Sequence, residues 1–233
     1  MLLIHQRKSA GTSLVHTLAK HYNLAVVVPA YDLSSKRYYE NLEKIAYSKD
    51  TICSVHLHPT KESYEWVRSL ACPVVILLRE PSDAYQALTR HMGVDNGGWK
   101  GAYNGAYFFK DAKLVCQNFS KNYLTLHGIK HVYIATYERL VLDTELELDR
   151  ICAHFFPYTK REKPTSLMSE RISTSPQKKE GNPTWELKIL GDTESRLVFI
   201  DEPRQTRIGR VLHFAMRVWF YVIRKVGQRE KVK

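Results

Sequence analysis

Acidic residues are scarce: 24 Asp and Glu stand against 35 Lys and Arg, for a net charge of +11 and a pI near 9.4. That deficit implies polyanionic company, whether a phosphorylated cofactor, an acidic glycan, nucleic acid or an anionic membrane surface. Nucleic acid is disfavoured, because the basic residues neither interleave with a stacking-aromatic module nor form a helix-turn-helix pattern. Cysteine is sparse as well. Cys53, Cys72, Cys116 and Cys152 are irregularly spaced with no C-x-x-C pair, and read as buried thiols in a reducing compartment. No His/Cys set stands at ligand spacing, so no metal ion is required. A secretory signal is lacking, since the apolar start, Met1 to Ile4, runs straight into a basic loop. A cytoplasmic protein is therefore the expectation. There is no internal repeat. What is present is enough apolar residue, 44% of 233, to bury the core of one domain.

Short apolar runs alternate with helical patterns along the chain. Met1 to Ile4 is strand-like, and Leu14, Leu18 and Tyr22 follow at helical spacing. Ala25 to Val28 is a second strand, Ser34 to Tyr47 a polar surface helix, Thr51 to His56 a third strand, and Lys61 to Leu70 a helix. Val74 to Leu78 is uninterrupted, as in a parallel strand covered on both faces. His131 to Thr136 is a further strand. It lies between a helix marked by Phe108, Ala112, Val115, Phe119, Tyr123 and Leu126 and one marked by Leu148, Ile151, Cys152 and Phe155. This alternation predicts a three-layer α/β fold, a mostly parallel central sheet flanked by helices. In such sheets ligands collect at the carboxyl ends of strands, so Lys8, His56 and Arg79 should face one crevice.

The turn His5-Gln6-Arg7-Lys8-Ser9-Ala10-Gly11-Thr12-Ser13 joins the first strand to the first helix. Backbone N–H groups at a helix N-terminus favour phosphate, Lys8 adds a positive charge, Gly11 lets the backbone approach a ligand, and Thr12 and Ser13 add hydroxyl donors. It is not a Walker A loop, because the lysine comes three residues before the only glycine. Lys-x-x-Gly-Thr-Ser after a first strand resembles the 5′-phosphosulfate loop of sulfotransferases that use 3′-phosphoadenosine 5′-phosphosulfate (PAPS, with product PAP). The resemblance implies that Arg7, Lys8, Ser9, Ala10, Gly11, Thr12 and Ser13 hold the cofactor, and that the fold is the P-loop-like sulfotransferase fold.

Four further segments extend this resemblance in the family's order. Arg79-Glu80-Pro81-Ser82-Asp83 resembles the family's Arg-x-Pro-x-Asp, which implies that Arg79 binds the 3′-phosphate. The family's serine eight residues on is here Ala87, leaving Ser82 or Thr89 as substitutes. Ser54-Val55-His56-Leu57-His58-Pro59 is similar to the segment that carries the family's catalytic histidine, with Ser54 and Val55 where the family has a lysine and its neighbour. His56 aligns best as the base and His58 is the second choice; Lys8 would join them in catalysis. Tyr137, in Tyr137-Glu138-Arg139-Leu140, falls where a tyrosine lies by the adenine. Lys178 and Lys179, ahead of Trp185, resemble a basic loop that closes over the cofactor, with its glycine displaced by one to Gly181.

The expected activity is therefore sulfuryl transfer from PAPS, without a metal, to a hydroxyl or amine of a small-molecule or glycan acceptor. Residues 1–203 would form the sulfotransferase domain. Residues 204–233 read as a basic amphipathic helix that either packs on that domain or makes a peripheral contact with a membrane or partner. Tyr31 to Tyr39, Gly93 to Gly105 and Pro157 to Gln177 are the expected acceptor loops. Two rival readings stand: a P-loop-type small-molecule kinase, and a non-catalytic protein of the same fold that binds an anionic glycan or membrane.

Overall fold

Five short apolar runs pair side by side in parallel: Leu2–His5 (β1), Ala25–Val27 (β2), Thr51–Val55 (β3), Val74–Leu78 (β4) and Val132–Thr136 (β5), in the order β2-β3-β1-β4-β5. The computed structural model describes residues 1–29, 36–92, 112–155, 185–186, 189 and 197–199. The chain divides into two units, Met1–Ile200 and Asp201–Lys233. The second, which contains the basic segment 204–233, lies outside the described residues, as do Lys178, Lys179 and Gly181.

The register aligns the strand ends. Ile4 pairs with Val55 and with Ile76, His5 with Leu77, and Leu78 with Thr136. Residues that follow β1, β3, β4 and β5 therefore leave the sheet along one edge. Side chains alternate between its faces. Leu2, Ile4, Cys53, Val55, Val74, Ile76, Leu78, Val132 and Ile134 enter one apolar cluster, while Met1, Leu3, Ile52, Val75, Leu77 and Ala135 enter another. Lys36–Ala46 (α2), Lys61–Ser69 (α3) and Ala112–Leu124 (α5) cover the first face. The second is covered by Gly11–Tyr22 (α1), Tyr137–Leu142 (α6) and Thr144–Phe155 (α7). Pro81–Met92 (α4) packs on α5 through Ala84, Leu88, Ala112 and Cys116. The three-layer α/β expectation holds, with every strand pair parallel among the described residues.

Local chemistry sets the helix starts. Thr60 caps α3 by accepting from the Ser63 amide at 3.2 Å. Pro81 occupies the first position of α4, where its missing N–H costs nothing, and the Glu80 carboxylate accepts from Asp83 N at 2.7 Å. At its far end α1 closes on Asn23, in the left-handed region at φ 51.

Two sequence expectations need correction. The polar helix is not a surface ornament, because Tyr38, Tyr39, Leu42 and Ala46 are all buried against the sheet. Its charged residues are numerous enough to mask the apolar stripe in the sequence. Tyr38 and Tyr39 therefore belong to the core rather than to an acceptor loop. The second strand stops at Val27, with Val28 exposed. The four cysteines are free and buried as expected, and burial pushes the Cys53 thiol up to about 12 and that of Cys116 to about 11. No helix among the described residues is long and apolar enough to cross a membrane.

Leu42→Ala tests the buried role of α2. Urea unfolding should show a loss of about 2–5 kcal/mol, the range for a buried leucine, whereas a surface position would change stability by less than about 0.5 kcal/mol.

Candidate active site

β1 hands the chain to α1 through a tight loop in which Gln6 and Ser9 are buried. Lys8 and Ala10 both adopt the left-handed region, at φ 64 and φ 67, with Ser9 between them. Ala10 is the N-cap of α1 and supplies no side-chain cap. The first-turn N–H groups therefore lack the usual capping oxygen and form a concavity suited to an anion. The Ser9 hydroxyl is committed within the loop, donating to the Gln6 carbonyl at 2.6 Å. Ser13 is half-buried, and Thr12 and Arg7 are exposed. Lys8 is half-buried, and desolvation lowers its pKa. Gly11 meets a packing demand beside the expected one: a Cβ there would lie 2.0 Å from His5 Nδ1. The missing side chain makes room for an imidazole of the same chain.

At the end of β4, Arg79 is buried at 3% exposure. Its guanidinium donates to the Lys8 carbonyl at 2.8 Å and lies over the Tyr137 ring, 4.2 Å from the centroid. Its Nε has no hydrogen-bond partner among the described residues. Gln6 Oε1 accepts from the Arg79 amide at 2.8 Å, and Ser120 Oγ donates to the Arg79 carbonyl at 3.2 Å. Arg79, Lys8 and Tyr137 are thus brought together. The two candidates for the family's serine are differently placed: Ser82 is exposed, and the buried Thr89 donates its hydroxyl to the Gln86 carbonyl at 2.9 Å. Ala87 is fully buried.

His56 follows β3. Its Nδ1 lies 2.8 Å from the His5 carbonyl, which can only accept, so Nδ1 carries the proton and Nε2 keeps its lone pair. The His5 and His56 ring centroids are 4.0 Å apart. His58 lies two residues on, and its carbonyl accepts from Ser63 Oγ, which also receives the Tyr123 hydroxyl at 3.1 Å. All three imidazoles are shifted down, chiefly by burial: His5 to about 3, His58 to about 4, and His56 below its ordinary value of 6.5. The charges of Arg7 and Lys8 push His56 further the same way. A pocket of about 40 Å³ opens here, its wall including Arg7, His56, Leu57, His58, Val115 and Phe119.

Three residues gained a place that sequence reasoning had not given them. Gln6 is buried at 3% and ties the loop to β4 and α5, its Nε2 donating to the Cys116 carbonyl at 3.2 Å. Glu138, also 3% exposed, accepts from the Glu80 amide at 2.9 Å and from Trp185 Nε1 at 3.1 Å, while burial raises its pKa. His5, to which the sequence assigns no function, packs on Gly11 and has its Nε2 3.0 Å from Ser54 Oγ. A polar residue inside an otherwise apolar strand end was the available signal for His5 and Gln6.

No protein-family model and no curated protein matches the sequence. Solved structures do match. Mouse sulfotransferase SULT7A1, crystallised in complex with PAP, is similar with a TM-score of 0.52 and 14% identity, over 74% of this chain and 62% of that one. This chain thus spans less than two thirds of the mouse protein. A sulfotransferase from Alicyclobacillus acidocaldarius has a TM-score of 0.48 and 14% identity, covering 81% of this chain and 94% of that one. The sulfotransferase domain of the Synechococcus PCC 7002 olefin synthase has a TM-score of 0.44 and 15% identity, covering 92% and 93%. The chain has the sulfotransferase fold expected from its motifs.

Gly11→Ala should lower the urea midpoint, since an overpacked core position costs about 1–3 kcal/mol; an unchanged midpoint would mean that His5 moves aside without penalty. The buried histidines also set a pH dependence. Their folded pKa values lie below 6.5, so between those values and 6.5 the unfolded chain binds more protons, and their contribution, full above 6.5, is lost as pH falls. Buried Glu138 and Glu147 are raised and act in the opposite sense. The isolating measurement is therefore the drop in stability from pH 7.5 to 5 in wild type and in His5→Phe, which should be smaller in the variant.

Proposed function

We propose that this chain is a sulfotransferase that uses PAPS and modifies a hydroxyl or amine on its acceptor. The observation that carries the reading is the bond from His56 Nδ1–H to the His5 carbonyl, which leaves an accepting Nε2 beside an anion-binding loop. The residues fit the cofactor. The uncapped N-terminus of α1 with Lys8 suits a 5′-phosphosulfate, and the Arg79 Nε offers a buried donor to a 3′-phosphate. Tyr137, beneath the Arg79 guanidinium, is the proposed neighbour of the adenine.

When bound, PAPS supplies an activated sulfuryl group whose transfer breaks the sulfur–oxygen bond to the 5′-phosphate. His56 takes the acceptor's proton on Nε2, a role its depressed pKa serves by keeping it neutral at pH 7. Lys8 and the N–H groups of the loop hold the negative charge left on the phosphate, in a preformed arrangement that needs no reorganisation. The pocket beside His56, with Leu57, Val115 and Phe119 in its wall and Arg7 at its edge, is the proposed acceptor site, and Arg7 suits an acceptor bearing negative charge, such as a glycan. Ala87, buried where the resembled family has a phosphate-binding serine, favours a second reading, a non-catalytic protein of this fold that binds an anionic glycan or membrane.

Thermal shift in EDTA separates the readings. Stabilisation by 3′-phosphoadenosine 5′-phosphate without magnesium is expected, whereas a requirement for Mg-ATP would support the kinase alternative. In calorimetry Lys8→Ala should weaken that ligand by about 10–100-fold, the equivalent of one charged hydrogen bond; unchanged affinity would sink the cradle assignment. A protein that binds the ligand but neither transfers nor hydrolyses sulfate across a broad acceptor panel would be the non-catalytic form.

A further inference from the structure

We propose that His5 is a positioning residue for His56: its ring, seated on Gly11 and paired with Ser54, holds the His56 imidazole in one orientation and one tautomer. The relevance to turnover rests on the reading of His56 as the base; the positioning itself does not.

The His5 carbonyl decides which His56 nitrogen carries the proton, but one hydrogen bond through Nδ1 leaves the ring able to swing about it. A second surface is needed to define the ring's plane. The His5 imidazole supplies it, with centroids 4.0 Å apart and planes inclined at 56°. His5 is itself held from several sides. Its Nε2 lies 3.0 Å from Ser54 Oγ on β3, its backbone is fixed by pairing with Leu77 on β4, and the Cα of Gly11 closes over Nδ1. At 6% exposure it has little room to change rotamer. A rigid ring that touches both the start of α1 and the base is the shortest link between the anion loop and His56.

Its charge state matters as much as its shape. The groups that face His56 are Arg7 and Lys8 from the loop, His58 two residues on, His5 from β1 and Cys116 on α5 across the pocket. Two of these are cations already. A third would oppose protonation of His56 in any reaction where it accepts a proton. Burial keeps His5 neutral, with a pKa of about 3, so it braces the base without adding charge. Phenylalanine would match the stacking surface but leave the buried Ser54 hydroxyl without this partner.

The test is long-range proton–nitrogen NMR of protein labelled with ¹⁵N-histidine, which reads the tautomer and pKa of each ring without turnover. In wild type, His56 should appear as the Nδ1–H tautomer and titrate below 6.5. His5→Ala should mix the tautomers and move the His56 pKa up toward the ordinary value of about 6.5, while His5→Phe should restore both features. Folding of each variant is checked by circular dichroism. If His5→Ala does not fold, His5→Leu, which fills the space without presenting a planar ring, is read instead, and should broaden the His56 signals and raise its pKa. His56 unchanged in a folded His5→Ala or, failing that, in His5→Leu overturns the proposal, as does a His5→Phe protein that behaves like His5→Ala. A chain that transfers no sulfate yet shows these shifts refutes the proposed function and leaves the positioning intact.

Discussion

Gln6, buried, ties together the end of β4, the middle of α5 and the loop after β1. Its Oε1 accepts from the Arg79 amide, its Nε2 donates to the Cys116 carbonyl, and its own carbonyl receives the Ser9 hydroxyl. The end of β1, the end of β4, the middle of α5 and the anion loop thus share one polar anchor in an apolar setting, where an unmade bond is costly. The Arg79 guanidinium extends the connection by holding the Lys8 carbonyl, so the loop after β1 and the end of β4 are braced against one another. A change at either one is felt at the other.

Around this anchor the site sorts its charges by burial. Arg7 and Lys8 remain at least partly exposed and cationic, suited to meeting an anion, while the three imidazoles are desolvated and stay neutral. Without burial, a histidine near two cations would still be driven toward neutrality, but without a defined geometry. Here the desolvation that lowers the pKa comes from the same packing that fixes the rings. Glu138 plays the complementary part on the other side of Arg79, binding the Glu80 amide and the Trp185 indole. It holds the start of α4 and Trp185 to the end of β5.

The sulfotransferase-like architecture was readable because its signals are local. Val74 to Leu78 is an unbroken apolar strand, α1 and α3 have clear periodicity, and the Lys8-to-Ser13 motif lies in consecutive residues. The convergence of Lys8, His56 and Arg79 on one edge also followed, because parallel strands in register must end together. The packing demand on Gly11 did not follow. A glycine in a phosphate loop looks like an approach path for a ligand, and only the packing reveals that its space is taken by the His5 ring. The burial of α2 was hidden for a similar reason: Lys36, Arg37, Glu40, Glu43 and Lys44 are interleaved with the apolar positions that face the sheet.

By itself the sequence determined the strand and helix alternation, the basic balance and the basic and hydroxyl residues that follow the strands, since each depends on neighbours within a few positions. Tertiary structure alone decided which nitrogen of His56 stays free to accept and how the loop after β1 is coupled to Arg79. It also decided that His5 and Gln6, one beside the other in the chain, brace His56 and Arg79 respectively. Those outcomes rest on contacts between residues 51 and 73 positions apart, where burial and hydrogen-bond geometry take over from pattern.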